Sequence, residues 1–111
     1  MRHEALARHL QLPAGLHKAS GAILTLAECR RDPSAVLPPA QLSVAQKISL
    51  VKARWLAGEW SDIVYGTEGT VDRDKAIREL EAQSDIGRHL MEVELRAIEM
   101  THEEAAQQGN P

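Results

Sequence analysis

Three of the chain's five prolines fall between Asp32 and Ala40, at positions 33, 38 and 39. Proline lacks a backbone donor and disfavours helix in the residue before it. A helix arriving from the N-terminal side therefore ends by Arg31 or Asp32, and the next begins only beyond Ala40. The chain is cut into N-terminal helices over 1–31, a connector over 32–42 and a longer segment over 43–106. A frayed tail is expected at 107–111.

On either side of the connector the apolar residues recur at helical spacing. Leu6 and Leu10 lie four apart, with a corner expected at Gln11-Leu12-Pro13. Leu16, Ala19, Ile23 and Leu26 make one stripe of a second helix, weakened by Ser20-Gly21. After the connector, Ser43 and Gln46 form a capping-box pattern ahead of Val44, Ile48, Val51 and Trp55. Gly66-Thr67-Glu68-Gly69-Thr70 reads as a turn, with Gly66 placed to end the helix. Thr70 or Asp72 opens a last helix that meets no proline before the tail and runs far beyond the usual ~11–12 residues. The sequence therefore predicts an all-α single domain. Two short N-terminal helices and a Pro-rich connector precede a long C-terminal αα-hairpin, Ser43–Tyr65 against Asp72–Ala106.

Composition narrows the function classes. Only 3% of residues are aromatic, and the formal charge of −3 speaks against a strongly basic nucleic-acid binder. The charge is divided unevenly. Residues 1–58 hold eight basic and three acidic side chains, and residues 59–111 hold five and thirteen. Halves of opposite sign can attract within one chain or between antiparallel copies. The longest mainly apolar run, Gly21–Ala27, is too short for the ~20 residues that span a bilayer. No apolar signal core follows Met1, and the single cysteine, Cys29, cannot form an internal disulfide. A cytoplasmic protein without a membrane span is the expectation.

Catalytic patterns are thin. Cys29 precedes Arg30 and Arg31, but adjacent helical residues do not face one another, and a free cysteine is commonly a small core residue. Gly66-Thr67-Glu68-Gly69 lacks the lysine and spacing of a phosphate loop. Glu99 and His102 have the Glu-x-x-His spacing of di-iron bundles, and Glu81, Asp85 and His89 stack one turn apart. The first pattern occurs once where such a bundle needs two, and the second lies on a polar arc. No catalytic, cofactor or metal site is predicted.

Two helix faces remain to be covered. Ile86, Leu90, Val93, Ala97 and Met100 form a second stripe on the last helix, and a helix apolar on two sides must bury both. The stripe is expected to be a self-association surface of a homo-oligomer. All three aromatics, Trp55, Trp60 and Tyr65, lie in one short stretch. Trp60, Ile63 and Tyr65, rimmed by Glu59, Asp62 and Glu68, are expected to contact a protein partner. The rival role for the tryptophans is core anchoring.

The sequence thus points to a non-catalytic interaction module such as an adaptor, assembly chaperone or accessory subunit. The alternative is a small DNA-binding regulator using residues 4–24, where Ala7, Leu10 and Leu12 fit a helix-turn-helix. That pattern falters at His17 and Ser20, where apolar residues are wanted.

Overall fold

The computed structural model describes residues 8–66 and 69–108. It is mixed α/β, which overturns the all-α expectation. The elements run β1 (Pro13–Leu16), β2 (Ile23–Thr25), α1 (Leu26–Arg31), two short 3₁₀ turns, α2 (Val44–Ala57), β3 (Ile63–Val64), β4 (Thr70–Val71), α3 (Arg73–Ala82) and α4 (Asp85–Gln108).

The second N-terminal helix is absent: residues 13–25 form an antiparallel hairpin. Leu16 pairs with Ile23 and Gly15 with Leu24, with a bulge between Pro13 and Gly15. The turn closes through a His17 amide donating to the Ala22 carbonyl at 2.9 Å, and Gly21 takes the left-handed φ of +73° that suits glycine. Ser20-Gly21 is thus a turn rather than a weak point in a helix. α1 starts only at Thr25, whose hydroxyl accepts from the Glu28 amide while the Glu28 carboxylate accepts from the Thr25 amide. Of the expected first helix, residues 4–7 lie outside the described residues, and Arg8 and His9 are helical. With its second half folded as strands, the helix-turn-helix pattern over 4–24 has no recognition helix.

α2 begins as the sequence predicts. The Ser43 hydroxyl accepts from the Gln46 amide at 3.1 Å, and the Gln46 side chain returns the bond to the Ser43 amide at 2.9 Å. It stops at Ala57 rather than Tyr65, because Gly58 leaves the helical conformation. Ile63 then pairs with Val71 and Val64 with Thr70 in a second small antiparallel sheet.

The long last helix is also broken, so the expected hairpin of two long helices does not form. Gln83 adopts a left-handed φ of 54° and ends α3, with the Ser84 amide donating back to the Glu79 carbonyl at 3.3 Å. Ser84 then caps α4, its hydroxyl accepting from the Gly87 amide at 3.0 Å.

Two clusters of buried side chains hold these elements. The first joins Leu16, Leu26, Cys29 and Leu50 to Ile98 and Ala105 of α4. The second joins Val51, Trp55, Val71 and Leu80 to Ile86 and Leu90. Leu95 packs against both. Each fully buried leucine contributes about 1.5–3 kcal/mol of transfer free energy.

Candidate functional site

The first core is incomplete on one side. Between β1, α1, the proline-rich connector and the C-terminal part of α4 lies a cleft of about 510 Å³. Its apolar lining includes Ala14, Cys29, Val36, Leu37, Leu42 and Leu50, and its polar residues are Arg30, Glu99, His102 and Glu103. The connector is fixed to β1: the Lys18 amide donates to the Ala35 carbonyl at 2.8 Å and the Leu37 amide to the Leu16 carbonyl at 2.9 Å. Gly15 allows this approach. A Cβ there would meet the Cys29 Sγ and a Val36 methyl, each at 2.9 Å.

Two groups at the cleft have defined chemistry. Burial pushes the Cys29 thiol up to about 11, with the Glu28 carboxylate acting in the same direction. The sulfur is therefore a protonated, apolar part of the lining at neutral pH. The His102 Nε2 lies 2.8 Å from the Ala14 carbonyl oxygen. A carbonyl only accepts, so Nε2 donates to it.

Beside the first core sits a charge pair. Arg54 is 6% exposed, its Nε lies 3.3 Å from a Glu94 carboxylate oxygen, and a second guanidinium nitrogen donates to the Pro13 carbonyl at 2.9 Å. His9 is nearby, with a buried Nδ1 that has no partner among the described residues. Burial, and next the Arg54 charge, hold this histidine below its usual value. The Arg54 bonds fasten β1, hence one wall of the cleft, to α2 and α4.

The residues expected at a partner surface are not among those lining the cleft. Trp60 meets Trp55 edge-on at 5.4 Å between ring centroids, and Tyr65 meets His89 at 5.8 Å. Trp60, Ile63 and Tyr65 are all partly buried against the second core. Between the last two, Val64 is 79% exposed. Trp60 also borders a smaller, polar cavity of about 340 Å³ with Asp62, Asp72, Arg73 and Asp74. Its indole nitrogen is buried without a partner among the described residues, and Glu68 lies outside them.

The expected self-association stripe divides. Ile86 and Leu90 are buried in the second core, Ala97 is half-buried, and Val93 and Met100 are 54% and 49% exposed.

Neither metal-like pattern brings ligands together. Glu81 pairs with Lys52 at 3.2 Å, Asp85 with Arg88, and His89 with the Tyr65 ring. Among the described residues no group of three or more His, Cys, Asp or Glu side chains could hold a metal ion. None of the described helices is long and apolar enough to cross a membrane.

In the sequence Glu99 and His102 stand out as a pair and Cys29 separately, and nothing there joins the three. His102 and Ala14 are 88 residues apart, and no local pattern signals such a contact. Set against known proteins, the chain matches no family, no curated protein and no solved structure.

Proposed function

We propose that the protein is a non-catalytic binding module whose binding element is the cleft under the connector. One observation supports this above the others: a cavity of about 510 Å³ with a mainly apolar lining and only four charged or polar residues at it. Small-molecule sites have this volume and this sparse polarity. The reading is non-catalytic because the available nucleophile, Cys29, is held protonated and the His102 Nε2 is engaged by a backbone carbonyl.

The test is methyl NMR with a neutral apolar probe, 2-cyclohexylethanol. The methyl signals of Val36, Leu37 and Leu42 are expected to shift, with those of Val64 and Val93 unmoved. If no cleft methyl responds up to the solubility limit of the probe, the reading fails.

A second reading, self-association, is favoured by the exposed Val93 and Met100 on α4, seven residues apart with Ala97 between them. Two helices can pack along such a narrow seam.

A further inference from the structure

The cleft's polar residues are not placed symmetrically in charge. Glu99 and Glu103 are one helical turn apart on α4, so they share a face, and His102 lies on that face between them. Among the described residues lining the cleft, the one opposing charge is Arg30 of α1. Neither carboxylate makes an ion pair with Arg30, although both line the same cavity. Like charges at this spacing repel, and neither is ion-paired with a described cation. The His102 Nε2 is already used on the Ala14 carbonyl. An apolar cavity therefore carries two carboxylates one turn apart on one helix.

Resting on the reading of the cleft as a binding site, we infer that its ligand is a small organic ammonium compound with an apolar body. The body fills the space lined by Val36, Leu37, Leu42 and Leu50. The ammonium group sits against Glu99 and Glu103. An ammonium has three donors and no acceptor, which suits carboxylates that only accept. Its charge relieves the repulsion between the two carboxylates. Arg30 acts against such a ligand and in favour of a carboxylate.

The experiment compares three probes of one shape: 2-cyclohexylethylamine, 2-cyclohexylethanol and 3-cyclohexylpropionate. Each is titrated into the full chain, with dissociation constants read from the Val36, Leu37 and Leu42 methyl shifts. The amine is expected to bind about tenfold more tightly than the alcohol, and the carboxylate more weakly than either, as for a solvated charge pair of moderate strength. Glu99→Gln together with Glu103→Gln removes the amine's advantage over the alcohol. Arg30→Ala strengthens amine binding. All three positions are exposed, so these variants retain the fold. If the alcohol binds and the amine has no advantage, or the carboxylate binds best, the ammonium inference is overturned while the cleft remains a binding site. If no probe moves the cleft methyls, both readings fall together.

Discussion

Arg54 and Cys29 are both buried beside β1, one charged and one neutral, and they respond differently to change. The Arg54 guanidinium is tied to Glu94, which is 22% exposed, and to the Pro13 carbonyl. Removing one member of a buried pair strands the other, a loss of about 3 kcal/mol at the lower end of the range. Glu94→Ala is therefore expected to lower stability by about 3 kcal/mol, since Arg54 stays buried and charged. Adding Arg54→Met should restore part of that loss, because the stranded charge goes and the stem volume remains. Denaturant titration of the two single variants and the double variant checks this, and purely additive losses would contradict it. Cys29 responds to pH. Its thiol is raised from an ordinary 9.0 to about 11 by burial, so between these values the unfolded chain has released a proton that the folded chain keeps. Stability from this source is intact below pH 9 and is lost as pH climbs towards 11. The melting-temperature advantage of wild type over Cys29→Ala should shrink across that window.

The α3–α4 corner depends on a missing methyl. A Cβ on Gly87 would lie 1.9 Å from the Glu79 carbonyl oxygen and 2.8 Å from the Leu80 nitrogen. Both are backbone atoms, which cannot swing aside as a side chain would. Gly87→Ala is expected to cost about 3 kcal/mol or more, despite alanine's better helix propensity, because overpacking outweighs a gain of ~1 kcal/mol. A midpoint of chemical denaturation at or above that of wild type would refute this. The corner also shows what was legible in the sequence. Ser43-x-x-Gln46 announced α2, since its capping bonds are local. Thr25-x-x-Glu28 and Ser84 were equally local signals, but apolar spacing ran through both and suggested continuous helix. Leu16, Ala19, Ile23 and Leu26 fit a helical stripe, yet Leu16 and Ile23 face each other as strand partners. The hairpin turn at Ser20-Gly21 outweighed that spacing. The cleft was illegible for another reason: β1 and α4 build it from distant parts of the chain, and only tertiary packing brings them together.

At the scale of the molecule, the uneven charge is at least partly used internally. Lys52–Glu81 and Arg54–Glu94 each join the basic N-terminal part to the acidic C-terminal part. The described chain extends 47 × 32 × 19 Å, flat enough for one face of α4 to remain uncovered. Val93 lies on that face, and Val93→Glu places a charge there without entering either core. If copies associate along α4, light scattering should show a smaller species for the variant at an unchanged melting temperature. A wild type that is monomeric at high concentration would rule the seam out. The two cores joined at Leu95 differ in how far apart in sequence their members lie. The second core draws on residues 51–91 and closes from neighbouring segments, whereas the first brings Leu16 and Leu26 to Ile98 and Ala105. Longer loops cost more closure entropy, so the first core, and the cleft beside it, is expected to be the later of the two to form.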